Sequence, residues 1–547
     1  MQLQRITTWA AFLSAAVACS ARAEEKPPSL GGLFPAGCSR PGTVTVTALG
    51  DFPTWPLKAW ISDEAENKTE VTCKVLKEKG KLEMSVPGEA EPGIYWLRLY
   101  NAAGASSPRP FLVSTLPDIL EKNAGGQAGA PLRLEKNGVL VHGRLEKKGE
   151  VDKIAVSLEA GAVLVADLLA NRVLASPMDA SLQVTSPAGF ILADNDDDQE
   201  VDPRIIFRAP SEGLYIVRIF SFPAKPNSTI QFAGEKSYVY RLTLTTGPFI
   251  EYAYPLAAGL SESPQLTLNG WNLPSNRKFT GLAAVAGRTQ DIIRIPGTAN
   301  KAAIAREDGD ILTEENYPKK GKLLKPSGTL LLSGRTGSPG ERDVFLLTSP
   351  EKRKLSVTVK ARELGSLLDP VLSIKGPDSK TVSEADDTDG GLDCKTEFTA
   401  AGGKTYRIEI TDRYNHGGQR FYYLLRVATP EKGFSLALGS DSFVLAKGKK
   451  LEIPVTVARH GGFDRKILVT ATDLPDGIRS TTAESVPGQD SAKAVKLTLE
   501  GTSAAQGSTF RITGEADGKE NDSEVAGYKV AGRKRPLQRA WLTVKGK

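Results

Sequence analysis

Histidine, methionine and cysteine are scarce in this 547-residue chain, with three, three and four residues. His142, His416 and His460 stand in unrelated contexts without a His-x-x-x-His or His-Glu pair, so the sequence offers no zinc-hydrolase ligand set. No Gly-x-Ser-x-Gly elbow occurs. Gly403-Lys404-Thr405 has Phe398 where a phosphate loop needs glycine, and a strand pattern follows it where a helix N-terminus would hold phosphate. Aromatic residues make up 7% of the chain, and beyond the N-terminus no apolar run reaches the ~18 residues of a membrane span. Recognisable peptidase, nucleotide-binding and downstream transmembrane templates are thereby excluded; composition alone leaves room for a paired-carboxylate glycosidase.

Glycine and proline are abundant, at 53 and 34 residues, in a chain that is 40% hydrophobic and 24% charged. That balance fits many short strands joined by tight turns, and an all-β fold is expected. At this length several domains are expected rather than one core. Arg5, the apolar run Trp9 to Ala18 and Ala21-Arg22-Ala23 read as a secretory signal over residues 1–23, removed after Ala23. An alternative is lipid attachment at Cys19, although Ala16-Val17-Ala18-Cys19 lacks the usual leucine. Cleavage removes Arg5 and Arg22 from a net charge of +6, too small an excess to point to nucleic acid, which export also disfavours. A basic cluster, Arg533-Lys534-Arg535, reads as a solvated loop. Cys38 and Cys73 fall in one domain and could pair in an oxidising compartment, whereas Cys394 lacks a partner.

The strongest pattern is a duplication. Asp179, the acidic tip Asp194-Asn195-Asp196-Asp197-Asp198, Asp202 and Tyr215-Ile216-Val217-Arg218-Ile219 recur in order as Asp369, Asp386-Asp387-Thr388-Asp389, Asp393 and Tyr406-Arg407-Ile408-Glu409-Ile410. Asp179 and Asp369 are 190 positions apart, and Tyr215 and Tyr406 are 191 apart. A register held through loops marks a duplicated domain. Alternation of Leu355, Val357 and Val359 with Ser356, Thr358 and Lys360 predicts strands with one dry face, hence sandwiches.

The matching positions run from Glu121 and Asn123, through Glu150-x-Asp152 and the acidic tip, to Tyr238-Val239-Tyr240-Arg241-Leu242; the second set is Glu314, Asn316, Glu341-x-Asp343 and Phe421-Tyr422-Tyr423-Leu424-Leu425. In this order they resemble the bacterial pre-peptidase C-terminal (PPC) domain, a jelly-roll-like sandwich of secreted peptidases related to collagen-binding domains. Leu33-Phe34-Pro35 with Gly50-Asp51-Phe52-Pro53, and Tyr254-Pro255 with Gly270-Trp271-Asn272-Leu273-Pro274, resemble the openings of immunoglobulin-like IPT/TIG domains. The expected array is therefore IPT/TIG-like at 32–115, PPC-like at 116–247, IPT/TIG-like at 248–313, PPC-like at 314–430 and immunoglobulin-like at 431–547. In the last, Pro454 within the alternating run Leu451 to Val457 predicts an edge strand.

The resemblance to collagen-binding domains implies calcium at Glu121, Asn123, Glu150 and Asp152, and at Glu314, Asn316, Glu341 and Asp343, with Ala124 and Tyr317 departing from the pattern. The tips Asp194, Asp196, Asp198 and Asp387, Asp389 are a second oxygen-rich candidate, although position 12 of an EF-hand loop is Ile205 or Thr396. Asp and Asn at such tips also cap turns. Trp55 and Trp60, beside Pro53 and Pro56, are the better candidates for an exposed stacking platform, and Trp96 for core. The chain reads as an exported, non-catalytic binding or adhesion scaffold at the cell surface, in the periplasm or secreted, contacting extracellular protein or polysaccharide. The family's company implies an alternative, an accessory or chaperone-like partner of a secreted hydrolase.

Overall fold

The computed structural model describes residues 25–123, 132–134, 138–225, 231–281, 289–325, 328–388, 391–501, 506–517, 519–533 and 535–545. The expected signal at 1–23, Asp389 and the side chain of Asn123 lie outside the described residues.

Period-2 alternation becomes β-sandwich throughout. In Leu451–His460 the residues Ile453, Val455 and Val457 are buried while Glu452, Pro454 and Thr456 are exposed, so each strand gives one face to a core. Ten sheets pair into five modules, and the protein is an all-β array of sandwiches. The first module faces a four-stranded sheet built on Ser29–Phe34 and Gly42–Asp51 against a five-stranded one built on Gly93–Asn101 and Arg109–Ser114. Among the described residues, the third has two three-stranded sheets and a small buried core around Ile250, Leu266, Leu268 and Ile304. In the fifth, a four-stranded sheet faces a six-stranded one.

The second and fourth modules are the duplicated unit. Each packs two five-stranded sheets with one strand order: Asp118–Leu120, Val139–Arg144, Val239–Thr245, Val163–Leu169 and Arg204–Arg208 in one sheet of the second module, Leu132–Arg133, Asp152–Leu158, Gly213–Pro223, Met178–Thr185 and Ile191–Asn195 in the other. Their registers coincide, Asp152 pairing with Ile219 and Asp343 with Ile410. Asp202 accepts backbone hydrogen bonds from Ala170, Asn171 and Arg172 at 3.2, 2.8 and 3.1 Å, closing a short helical turn; Asp393 does the same for Ala361, Arg362 and Glu363 at 3.0, 2.7 and 3.0 Å.

The first and third modules share a second repeat. Strand Ser29–Phe34 pairs with Gly42–Asp51 around a bulge, as Phe249–Tyr254 pairs with Gln265–Trp271. At both bulges a glycine with positive φ, Gly50 (154°) and Gly270 (153°), lies against the facing backbone carbonyl, leaving no room for a Cβ.

Three sequence expectations change. Asp310–Thr313 pairs in parallel with Leu330–Arg335, as Asp118–Leu120 does with Val139–Arg144, so residues 310–313 belong to the fourth module and not the third. Strand Leu451–His460 is internal: Pro454 is tolerated because the neighbouring strand ends at Leu438, opposite Val455, leaving one side of the proline without a ladder partner. Cys38 and Cys73 do not pair: both are free thiols, on Gly37–Ser39 of one sheet and Thr72–Val75 of the other. Burial pushes these thiols up to about 11 and about 12, and Cys394 to about 12.

The array folds back on itself, so that the first and fifth modules meet. Trp96 joins the apolar core of the fifth module, and Trp541 packs 6.0 Å from Trp60 and 4.6 Å from Tyr100, centroid to centroid. Arg98, buried, donates to Asp441 Oδ2 at 3.2 Å and to the Tyr528 hydroxyl at 2.9 Å. Ala36, Leu112, Leu174 and Val239 seal the first module to the second. Tyr252 of the third stacks 4.0 Å from Tyr422 of the fourth. Among the described residues, no helix is long and apolar enough to cross a membrane.

Candidate functional site

The sequence candidates separate into two places in each duplicated unit. The first lies under a tyrosine. A short 3-10 turn, Glu121–Asn123 or Glu314–Asn316, follows the entry strand and aims its glutamate at the first residue or two of the next sheet. Tyr240, fully buried, donates to Asp152 Oδ2 at 2.7 Å and to Glu121 Oε2 at 3.2 Å, and the Arg144 amide donates to the same Glu121 oxygen at 2.7 Å. In the second copy Tyr423 donates to Asp343 Oδ2 at 2.6 Å and the Arg335 amide to Glu314 Oε2 at 2.9 Å. Gly143 and Gly334 lie against the two tyrosine rings and leave room for them.

Glu150 and Glu341 turn away from these pairs. Each accepts from the amide three residues before it, Lys147 at 3.0 Å and Ser338 at 2.8 Å, and so holds its own turn. Asn316 Oδ1 accepts from the Thr313 amide at 2.8 Å as part of a capping box. What converges in each copy is therefore two carboxyl groups, whereas calcium takes six to eight oxygens. Among the described residues no group of three His, Cys, Asp or Glu side chains is placed to hold a metal. Thermal melts with excess calcium and with chelator are expected to give the same midpoint; a rise of several degrees with calcium would require the turn carboxylates to swing inward.

The pairs hold protons instead. Burial, then the charge of Asp152, pushes Glu121 well above the usual carboxyl range, and burial raises Asp152. In the second copy burial first, and the Asp343 charge among the lesser causes, lift Glu314 from 4.5 to about 7, while burial lifts Asp343 from 3.8 to about 6. The folded state thus keeps protons that the unfolded chain has released. This contribution to stability is complete below the unfolded values of 3.8 and 4.5 and is lost as pH rises through about 6 to 7. The melting midpoint is expected to fall over that interval, and Glu314→Gln to flatten the fall. An equally steep fall in the variant would place the titration elsewhere.

The second place is the acidic tip, and here the two copies diverge. Asp194 and Asn195 belong to the edge strand Ile191–Asn195, so Asp194 and Asp196 face solvent while Asp198 turns inward. Asp198, 3% exposed, is held by both Arg420 guanidinium nitrogens at 2.6 and 2.7 Å. Arg420 also donates to Glu251 Oε1 at 2.7 Å; Arg204 donates to Glu251 Oε2 at 2.8 Å and to Asp167 Oδ1 at 2.7 Å. Phe249 and Trp271 lie under the two guanidinium groups at 5.0 and 5.5 Å. One buried network thus ties together the second, third and fourth modules. In the second copy Arg413 takes Asp386 Oδ2 at 2.7 Å and approaches Asp387 at 3.7 Å. Among the described residues, the two tips therefore build no common ligand cage.

The tryptophans are also absorbed. Trp55 donates to the Leu76 carbonyl at 2.8 Å and packs on Phe52, and Trp60 lies in the seam with Trp541, so neither is an exposed platform. One cluster that spacing could not announce is Asp118, which receives His142 at 2.8 Å with Arg241 3.5 Å away, close to Cys38 across the seam of the first two modules. The buried thiol, pushed up to about 11, is the reverse of a poised nucleophile.

Two cavities lie in seams, one lined by Ala36, Leu174 and Val239, the other by Trp60, Trp96 and Tyr528; each has about 10 Å³, room for a single water.

No family model matches the chain, and no curated protein matches it. Solved structures similar to it include the Bacteroides ovatus mixed-linkage glucan utilization locus SGBP-B in complex with a mixed-linkage heptasaccharide, at 12% identity over 72% of this chain and 74% of that one, with a TM-score of 0.14. The insect immune protein hemolin is similar at 10% identity over 95% of this chain and all of the other, TM-score 0.22. Sidekick-1 immunoglobulin domains 1–4 are similar at 10% identity over 95% and 97%, TM-score 0.20. None of the three carries an argument about what this chain does.

Proposed function

We infer that this protein is an exported, non-catalytic binding scaffold whose β-sandwich modules, two of them PPC-like, contact extracellular protein or polysaccharide. The observation that carries the reading is where the deeply buried charge goes. Arg420, Asp198, Glu251 and Arg204 join modules to one another, and Arg98 with Asp441 does the same for the first and fifth. The cavities of about 10 Å³ in the seams are far below the several hundred Å³ of a substrate cleft. Rigid seams fix the exposed sheet edges and loops relative to one another, and a fixed display gains affinity by cutting the ordering cost of binding. The test is a binding array of polysaccharides and matrix proteins probed with the full chain. Retention on at least one ligand class with no turnover supports the reading; release of product from any polymer, lost on replacing two neighbouring acids, overturns it.

A further inference from the structure

We propose that the edge strand Ile191–Asn195 of the second module is a docking site for an extended strand of a partner protein carrying basic side chains at alternate positions. This rests on the binding-scaffold reading and names the kind of partner. The strand ends its sheet, so one side of its backbone has no neighbouring strand. Its approach is apolar and open: Phe190, Ile191 and Leu192 are 72%, 53% and 42% exposed. Beyond Leu192 the outward positions are Asp194 and Asp196, while Ala193 packs on the core and half-buried Asn195 accepts from the Arg204 amide at 3.0 Å.

The second copy is an internal control built from the same fold. At the positions 190 residues on, Lys380 replaces Phe190 and Thr381 replaces Ile191, the charged and polar edge by which sheets avoid pairing. There the places of Asp196 and Asp197 are neutralised from within, because Arg413 reaches Asp386 and Asp387, while Glu384, at the place of Asp194, is an outward carboxylate like its counterpart. In the second module the place of Arg413 is held by Phe222: Phe222 pairs with Asp179, and the Arg413 amide bonds to the Asp369 carbonyl, at offsets of 191 and 190. Phe222 brings no charge and instead packs on Phe220 and Phe232. Arg218, on the same sheet, bonds to Gln183. Among the described residues neither Asp194 nor Asp196 has an ion pair, and burial and the charge of Asp196 raise Asp197 against the opposing charge of Arg362. Asp198 takes Arg420 from another module at 2.6 Å, with Arg204 of its own module 3.7 Å away. Tip carboxylates at the places of Asp196, Asp197 and Asp198 therefore take guanidinium groups in one copy or the other, and Asp196, with Asp194 beside it, is open to one from outside.

An added strand would complete the ladder along Ile191–Asn195 and set its cations opposite Asp194 and Asp196, the cross-strand arrangement of opposite charges that stabilises sheets. The test uses the full chain and a blocked, short peptide of alternating valine and arginine, with a valine–glutamate version and a proline-interrupted version as controls. The arginine peptide should bind, and both controls should bind at least about fivefold more weakly. Asp194→Lys with Asp196→Lys, at exposed positions that carry no fold, should weaken it by a similar factor, and Phe222→Arg, which supplies the clamp of the second copy, should compete with it. Equal binding of the three peptides, no binding, or binding unchanged in both variants overturns the proposal. If the variants still bind a polysaccharide or protein on the array, the scaffold reading stands without this site; if the parent chain binds nothing there, that reading falls as well.

Discussion

Replacing Arg420 by alanine is expected to cost about 3–5 kcal/mol, the largest single loss in the protein, because it leaves buried carboxylates without their cation. Three carboxylates, from Asp167, Asp198 and Glu251, share two guanidinium groups from Arg204 and Arg420. Asp198 and Glu251 are each 3% exposed at the side chain, so water cannot replace the lost donors. Removing Arg420 leaves three acids to one base. Asp198→Ala instead leaves two to two, with Arg420 still on Glu251 at 2.7 Å and over the Trp271 ring. It should cost clearly less, and the double variant less than the sum of the singles. Calorimetry is the suitable readout, since a five-module chain need not unfold in one step. The third module, with its small core, should be released first. If the two single variants melted alike and near the parent, the network would be ornament rather than seam.

That asymmetry also explains what was legible in the sequence. Alternation and a fixed offset are local signals, so the sandwiches and their duplication could be read from Asp179, Tyr215 and their counterparts. Which acids point at solvent could not. Asp194 and Asp198 look equivalent in a run of acids, yet one lies on an open edge and the other meets an arginine 222 positions away in another module. The fate of Trp60 was hidden for the same reason, because its partner Trp541 comes from the far end of the chain; Trp96, readable as core, is buried, although its core is that of the fifth module. Glu150 and Glu341 misled differently. The resemblance implies a shared ligand set, but each carboxylate reaches the amide of its own turn three residues back, and that local bond forms without ordering anything distant. Gly143 and Gly334 gave a usable but unread signal: matched glycines inside strands mark close approach of another group.

Those glycines carry the second large effect. A Cβ on Gly143 would overlap the Tyr240 ring carbon, its hydroxyl and the Glu121 carboxylate; on Gly334 it would overlap the Tyr423 ring. Neither ring can yield easily, being fully buried with its hydroxyl fixed on Asp152 or Asp343. Gly143→Ala is expected to cost about 1–3 kcal/mol from overpacking, and more if the ring swings and breaks its bonds to both acids. Gly334→Ala should cost less, since Tyr423 donates to Asp343 alone of the two acids in its pair, where Tyr240 donates to both. The diagnostic is the companion Tyr240→Phe. Phenylalanine keeps the ring and removes the donor, so it should raise the proton affinity of the Glu121–Asp152 pair and steepen the loss of stability with rising pH. Combining it with Gly143→Ala should recover little, because the clash with the ring carbon persists. A double variant as stable as Tyr240→Phe alone would mean that the hydroxyl, and not the ring, is what the glycine accommodates.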